Sequence, residues 1–200
     1  MKLYISTLIL FIFFSGCSTA EPPITEYRIA AKPVVHSVKA DGCSSHSVKV
    51  AAAFSSSSLM SMDMNYAIGD NKQYKYSQSL YSTSPNYVIT SQVLQLLREM
   101  QLFETVQISK SRSRNDYILE ITIDDFMQYF SKDEKSSYSN VMISFSLIDT
   151  KSSKSIATKT FNSRVDTKTL DAEGGVVALS LALEEVLNDS SAWFSEVCKW

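Results

Sequence analysis

The sequence predicts a single α+β domain in which a mostly antiparallel or mixed β-sheet carries two main helices packed on one face. Three observations support this fold class. Several segments alternate apolar and polar residues, as half-buried strands do. Two longer segments instead place apolar residues at helical spacing. Most connections between the strands are short, which favours antiparallel or mixed pairing over a sheet wound entirely with crossover helices.

The predicted strands are separated by turn-forming residues. They span residues 24–30, 47–54, 60–68, 73–81, 103–110, 116–130, 138–149 and 156–165. The clearest pattern is that of the segment 116–130, because Tyr117, Leu119, Ile121 and Ile123 recur at every second position. Since alternate side chains of a strand share a face, we expect these four on one side of the sheet.

Two helices are predicted. The first begins at Pro85, with Ser84 as its N-cap, because proline is favoured at the first helical position. Its apolar positions are Val88, Ile89, Val93, Leu96, Leu97 and Met100. The second helix covers about residues 171–197. Its predicted buried stripe is Val176, Leu179, Leu183, Val186 and Leu187.

The tetrapeptide Phe14-Ser15-Gly16-Cys17 closes an apolar leader that follows Lys2. The leader's apolar core is about a dozen residues long, whereas a membrane-spanning helix needs about twenty. Two small residues before a cysteine resemble the cleavage site of a bacterial lipoprotein precursor. This resemblance implies a signal peptide at 1–16 and acylation of Cys17. The alternative is a plain secretory leader with an incidental cysteine.

A lipid anchor at Cys17 has consequences for location. Each buried CH₂ contributes about 0.8 kcal/mol to membrane binding, so an anchor of two or three chains is effectively permanent. Residues 17–25 are predicted to form the lipidated tether and residues 26–200 the folded domain. The eight residues 18–25 span at most about 28 Å, which keeps the domain near its membrane. We expect an envelope protein that faces the periplasm. In the sorting pattern of enterobacterial lipoproteins, a serine after the acylated cysteine, here Ser18, permits export to the outer membrane.

With Cys17 assigned to the lipid, Cys43 and Cys198 remain as an even pair in an oxidising compartment. A disulfide between them would join the two ends of the folded region. For a loop of about 150 residues, chain-entropy models give a stabilisation of roughly 4–5 kcal/mol. The alternative is two unpaired thiols, because the sequence does not measure their separation.

Net charge is −2 over 200 residues, so there is no basic excess to attract nucleic acid. Neither histidine has an evident nucleophile partner, and the G-x-S-x-G motif is absent from the sequence. Asp124 and Asp125 are adjacent carboxylates, but neighbouring residues of a regular strand point to opposite faces. The sequence therefore predicts no catalytic residues, no enzyme activity and no cofactor.

Two groups of potential metal ligands occur. Methionines alternate at three positions, which are Met60, Met62 and Met64. An extended backbone would place these thioethers on one side, where they suit Cu(I), but the filling of apolar gaps is the favoured interpretation. Cys43, His46 and His36 fall short of a four-ligand zinc site. The sequence predicts no metal site.

Gly174 and Gly175 lie near the predicted start of the second helix, where bare N–H groups could bind an anion. The sequence has no phosphate-loop pattern there, so close packing of the helix start is the favoured interpretation.

Most aromatic residues are expected to pack in the core or across strands, while a minority could line a lipid-facing groove or a homo-oligomer surface. The apolar clusters to inspect first for exposure are Phe126, Met127, Tyr129, Phe130, Trp193 and Phe194.

Several short motifs follow the predicted elements in order. They are Val48-Lys49-Val50, Leu59, Met64-Asn65-Tyr66, Tyr74, Tyr81, Pro85, Leu94, Leu97, Phe103, Asp116-Tyr117-Ile118-Leu119, Asp125-Phe126, Leu147-Ile148-Asp149, Ala178, Ala182, Leu183 and Trp193. Together they resemble the auxiliary lipoprotein family of ABC-type transporters, which includes the lipoprotein of the Pqi system and others linked to MCE lipid transporters. The resemblance covers nearly the whole mature chain. The family usually has tryptophan near the position of Tyr81, where this sequence departs from it.

The resemblance implies a non-catalytic component of a system that moves lipids or other hydrophobic molecules between the inner and outer membranes. The implied partners are an MCE-type substrate-binding protein and the ABC permease and ATPase subunits, with phospholipid as a further candidate. The short tether agrees with a supporting role, because one anchored domain cannot cross the periplasm. The alternative is a structural or outer-membrane assembly lipoprotein unrelated to transport.

Overall fold

The computed structural model describes residues 22–34 and 41–199. In these residues the chain forms one α+β domain with a mixed eight-stranded sheet and two helices, which confirms the predicted fold class. The strands are β1 (Thr25–Tyr27), β2 (Ser47–Val50), β3 (Asp63–Ile68), β4 (Lys72–Tyr81), β5 (Thr105–Ile108), β6 (Tyr117–Phe130), β7 (Ser137–Asp149) and β8 (Lys154–Asp166). The helices are α1 (Pro85–Met100) and α2 (Ala172–Val197).

β6 is the central strand, and its two edges are paired differently. Along one edge, β7 runs antiparallel over the whole length of β6. Along the other edge, two shorter strands follow one another, and both are parallel to β6. β2 pairs with residues 117–119 and β3 pairs with residues 128–130. Between them, a bridge from Phe54 to Thr122 keeps the chain beside β6.

The remaining strands extend the sheet on both sides. β4 pairs antiparallel with β3, and β1 pairs parallel with β4. α1 connects β4 to β5, and β5 pairs parallel with β2. β8 pairs antiparallel with β7. Within residues 22–34 and 41–199 no strand pairs with the second edge of β8, so that edge is free in the described domain.

Both helices pack on the same face of the sheet over a shared apolar core. In β6, Leu119, Ile121 and Ile123 are buried as predicted, whereas Tyr117 is only partly buried. The whole predicted stripe of α2 is buried, and it consists of Val176, Leu179, Leu183, Val186 and Leu187. Neither helix of the described chain has the length and apolar character needed to cross a membrane.

An aromatic cluster fills the core beneath the C-terminal end of α2. Trp193 and Phe194 pack on Phe145, with ring centroids 6.5 and 5.5 Å away, and Trp193 also contacts Phe161 at 6.0 Å. These two residues and Phe126 were candidates for exposure, and all three are buried. The half-buried members of the candidate clusters are Met127, Tyr129 and Phe130.

The predicted strand 24–30 is shorter than expected, because its second half packs on α2 instead of pairing in the sheet. After β1, the backbone N–H groups of Ala30, Lys32 and Val34 donate hydrogen bonds to α2. Their acceptors are Ser180 Oγ at 3.0 Å, Glu184 Oε2 at 3.1 Å and Asn188 Oδ1 at 2.8 Å. Every second extended residue advances about 6.6 Å, and every fourth helical residue about 6 Å, so the two periods match. We call residues 28–34 the strap.

A disulfide joins Cys43 to Cys198, the residue that follows α2. Beside it, the N–H of Gly42 donates a hydrogen bond to the carbonyl of Cys198 at 2.9 Å. The chain on either side of residues 35–40 is thus attached to α2, first through the strap and then through this covalent bond.

Because of a β-bulge in β6, Asp124 and Asp125 are not arranged as in a regular strand. The register with β7 shifts between Ile123 and Asp125, so Asp124 is an extra residue without a partner in the ladder. The alternation of faces therefore moves by one position, which explains why Phe126 follows Ile123 into the core.

Both carboxylates consequently lie on the sheet face opposite the helices, and the expectation of opposite faces is wrong. Ser144 donates a hydrogen bond to Asp124, while Tyr129 and Asn140 each donate one to Asp125 Oδ2 at 2.8 Å. Burial raises the pKa of the Asp125 carboxyl, and these hydrogen bonds oppose that shift only in part. The expectation failed because it assumed a regular strand.

Candidate docking surface

The start of α2 is fixed by a side-chain cap and by close backbone contacts. Asp171 accepts a hydrogen bond from the Gly174 N–H at 2.8 Å, so the group that an anion would need is already satisfied. A Cβ at Gly174 would lie 2.2 Å from the Thr169 carbonyl oxygen, and one at Gly175 would lie 2.1 Å from Gln128 Oε1. Both glycines are therefore explained by close packing, as the sequence favoured.

Beneath this helix start lies a buried polar network. Gln128 is buried, and its Oε1 accepts a hydrogen bond from Tyr76 at 2.9 Å while its Nε2 donates to Ser137 at 3.0 Å. Ser139 donates to the Gly175 carbonyl at 3.0 Å. Burial raises the pKa of Tyr76, so its phenol stays protonated and remains a donor. The network holds the first turn of α2 at one position on the sheet.

A groove with a volume of about 330 Å³ lies between this half of α2 and the end of β8. Its apolar lining is Val165, Val177, Ala178 and Leu181, and its polar rim includes Asp166, Lys168 and Glu173. Val177 and Leu181 are 46% and 44% exposed, and neighbouring Leu170 is 48% exposed. We call this surface the α2–β8 groove.

The free edge of β8 borders the groove, so apolar side chains and unpaired backbone groups occur together. Exposed apolar clusters with a polar rim mark binding surfaces, and a free edge offers hydrogen bonds to an added strand. Lys159, near the middle of β8, points to the helix side, and its Nζ lies 5.2 Å from the centre of the Phe161 ring. An inward lysine discourages unselective edge pairing there. The groove end of β8 is thus the better contact site.

The residues that the sequence singled out for chemistry have varied outcomes. Cys17, with its predicted lipid, lies outside the described residues, as does His36. Cys43 is bonded to Cys198, so it is not a free thiolate beside His46 for zinc. Within the described ranges, no group of three His, Cys, Asp or Glu side chains is placed to hold a metal ion.

The three methionines do not share one side of a strand, because β3 begins only at Asp63. Met60 follows a 3₁₀ turn (Ser57–Leu59) and is 40% exposed, and Met62 is 50% exposed. Met64 alone lies within β3, where it is buried in the core. The alternation in the sequence thus spans a turn and a strand.

The α2–β8 groove was missed by the sequence analysis, although a weak signal existed. Val177 and Leu181 are four residues apart, and so they share a helix face that lies beside the predicted buried stripe. That second apolar line could have indicated a wider contact face on α2. Whether β8 covers it depends on tertiary packing, which the sequence pattern does not encode.

No protein-family model matches the sequence, and no curated protein matches it significantly. Among solved structures, the fold is similar to protein XCC0632 from Xanthomonas campestris, described by the family model DUF330. The TM-score is 0.77 at 15% identity, over 86% of this chain and 95% of that one. A second, uncharacterized protein has a TM-score of 0.64 at 10% identity, over 86% of this chain and 99% of that one. These similarities establish a shared fold.

Proposed function

We propose that this protein is a lipid-anchored envelope protein that acts as a non-catalytic component of an ABC-type transport system for lipids or other hydrophobic molecules. In this proposal Cys17 carries the anchor, and the domain faces the periplasm at the outer membrane. The leader pattern supports the anchor. The resemblance of its motifs to the auxiliary lipoprotein family supports the role in transport.

The observation that carries the proposal is the exposed apolar surface of the α2–β8 groove. A component that works by binding needs such a surface. Burying the exposed halves of Val177 and Leu181 would contribute on the order of 1 kcal/mol each. Because the groove lies beside a free strand edge, a partner can combine apolar contacts with backbone hydrogen bonds.

The proposed partners are an MCE-type substrate-binding protein and the ABC permease and ATPase subunits. A phospholipid acyl chain and a second copy of this chain are the other candidates for the groove. A protein and an acyl chain would bind to different parts of this surface. A protein partner uses the free edge of β8 as well as the groove, whereas an acyl chain needs only the apolar lining.

The test is affinity purification of the full-length lipidated protein from membranes in mild detergent, with co-purifying proteins and lipids identified by mass spectrometry. We compare the wild type with Cys17→Ala and with the double variant Val177→Asp/Leu181→Asp. Ala192→Asp is the control, because it adds a carboxylate, one instead of two, on the exposed face of α2 away from the groove. We expect MCE or ABC subunits to be recovered with the wild type and with the control. With the double variant, the amount of these subunits recovered should fall at least ten-fold.

Loss or weakening of recovery with Cys17→Ala would further support the anchor. Recovery of an outer-membrane assembly complex alone would favour the alternative of an assembly lipoprotein, and recovery of nothing would reject the transport role. Since Val177 and Leu181 are exposed, the double variant should keep the thermal unfolding temperature of the wild type within a few degrees. A large drop would mean that the groove is a packing surface.

A further inference from the structure

The pairing of β1 fixes the direction in which the described chain enters the sheet from residue 22 onward. β1 is parallel to β4, with Thr25 opposite Ser79. A chain continued backwards from Thr25 therefore leads toward Lys72, where β4 begins. The distance along β4 from Ser79 to Lys72 is about 23 Å at the rise of strand residues. The eight residues before β1 reach at most about 28 Å.

That end of the sheet is formed by two turns and by the β8–α2 connection at residues 167–171. The β3–β4 turn occupies residues 69–71, and the β6–β7 turn occupies residues 131–136. They are adjacent because Ile68 pairs with Phe130, and Lys132 also forms an exposed ion pair with Asp70 at 3.2 Å. We call this the hairpin end. The opposite, distal end contains the β5–β6 loop at residues 109–116 and the β7–β8 turn at residues 150–153.

The hairpin end carries a partly exposed aromatic cluster. The ring of Tyr66 lies 5.6 Å from that of Tyr74, 4.6 Å from that of Tyr76 and 5.5 Å from that of Phe130. Tyr74 is 45% exposed. Tyrosine is enriched at membrane–water interfaces, where its ring reaches apolar surface while its hydroxyl stays hydrated.

A lysine lies beside the exposed tyrosine. Lys72 is two residues before Tyr74 in β4, so it shares a sheet face with Tyr74, and it is exposed. Lys75 points to the opposite face, where its Nζ lies 3.8 Å from Asp63 Oδ1. Ammonium groups on long stems suit the phosphates of lipid headgroups beside an aromatic ring. The hairpin end thus lies in the direction from which β1 enters the sheet, within reach of the residues that precede β1, and it carries the side-chain chemistry of a membrane interface.

We propose that the hairpin end contacts the surface of the membrane that carries the lipid anchor, with Tyr74 at the level of the headgroups. The inference rests on the acylation of Cys17 in the proposed function. It orients the whole domain, because β6 then runs toward the membrane and β7 runs away from it. The distal end faces the periplasm with its exposed cations, which are Lys110, Arg112, Arg114, Lys151 and Lys154.

The test compares two turns of the same molecule. Asn71→Cys places a thiol in the β3–β4 turn, and Ser152→Cys places one in the β7–β8 turn; both positions are exposed. Cys43 and Cys198 are buried in their disulfide, so the introduced thiol can be labelled with a fluorophore. The full-length lipidated protein is inserted into vesicles of phosphatidylethanolamine and phosphatidylglycerol, some of which carry a headgroup nitroxide quencher.

Quenching at position 71 at least three-fold stronger than at position 152 is the expected result. Equal quenching in an acylated protein, or stronger quenching at position 152, would overturn the membrane contact and leave the proposed function intact. A mature N-terminus without acyl chains, measured by mass spectrometry, would overturn both. Gln73→Cys, at an exposed position with no proposed membrane contact, provides a second label position at the hairpin end if Asn71→Cys does not fold.

Discussion

The two ends of α2 are attached to the same sheet by different kinds of contact. At the N-terminal end, Gly175 lies directly against Gln128, and the buried polar network surrounds that contact. At the C-terminal end, Trp193 and Phe194 pack on aromatic rings, and Cys198 is bonded to Cys43.

The contacts at the N-terminal end fix the position of α2 on the sheet, whereas those at the C-terminal end mainly stabilise the folded domain. A buried hydrogen-bond network requires one geometry, because a displaced donor or acceptor loses its partner. Aromatic packing contributes mainly through the large apolar area that it buries, and a disulfide acts mainly by limiting the unfolded chain. Since the α2–β8 groove adjoins the N-terminal end, changes there should disturb binding, while changes at the C-terminal end should mainly disturb stability.

The largest effect is expected from removing the disulfide with Cys43→Ala/Cys198→Ala. The bond closes a loop with a sequence separation of 155, so the free energy of unfolding should fall by about 5 kcal/mol in the chain-entropy model. Urea denaturation of the Cys17→Ser form measures this. Reduction of the unsubstituted disulfide with dithiothreitol should give the same loss. A loss below about 1 kcal/mol would mean that the strap and the aromatic cluster already hold this end in the unfolded ensemble.

A smaller effect on stability is expected from Gly175→Ala at the other end. Its Cβ would lie 2.1 Å from Gln128 Oε1, and overpacking of this kind costs about 1–3 kcal/mol. The sign of the change in the free energy of unfolding is informative, because replacing glycine by alanine in an unhindered helix stabilises the helix by about 1 kcal/mol. Urea denaturation gives the change in the free energy of unfolding.

Combining Gly175→Ala with Gln128→Ala tests the cause. The double variant should lose less stability than the sum of the two single variants, because the clash is removed with the glutamine side chain. Additive losses would contradict the packing explanation.

Gly175→Ala should also lower the recovery of partners in the purification assay. The variant without the disulfide should still recover the partners, provided that the variant is folded.

The fold class was predictable because it depends on local periodicity. The segment 116–130 alternates strongly, and α2 shows its buried stripe in the sequence. What could not be predicted arises from contacts between distant residues. No local pattern indicates that β2 and β3 share one edge of β6, or that Asp124 is the extra residue of a bulge.

The strap shows how a correct pattern can lead to a wrong partner. Ile29 and Ala31 are buried, so the alternation that predicted a strand is real. The alternating N–H groups, however, bond to side chains of α2 and not to a neighbouring strand. Prediction of the candidate site from the sequence was limited in the same way, because Leu181 forms part of a groove only through the position of β8.

The smallest effect is expected from Asp171→Ala, which removes the cap of α2 and should cost about 1 kcal/mol at neutral pH. Hydrogen bonds from the Gly174 N–H and the Thr169 hydroxyl hold the pKa of Asp171 below its ordinary value of 3.8. The ionised form is thus favoured in the folded state. The contribution of the cap is fully present above that value and is lost as the pH falls through the folded pKa.

The stability difference between the wild type and Asp171→Ala should therefore be constant from pH 7 to about pH 5 and shrink below about pH 4. Urea denaturation across this range measures it. Asp166→Ala is the control, since Asp166 lies at the end of β8 and caps no helix. A difference that does not depend on pH would show that the carboxylate is not the capping species. The N-terminal end of α2 would then depend on its glycine contacts and on the polar network alone.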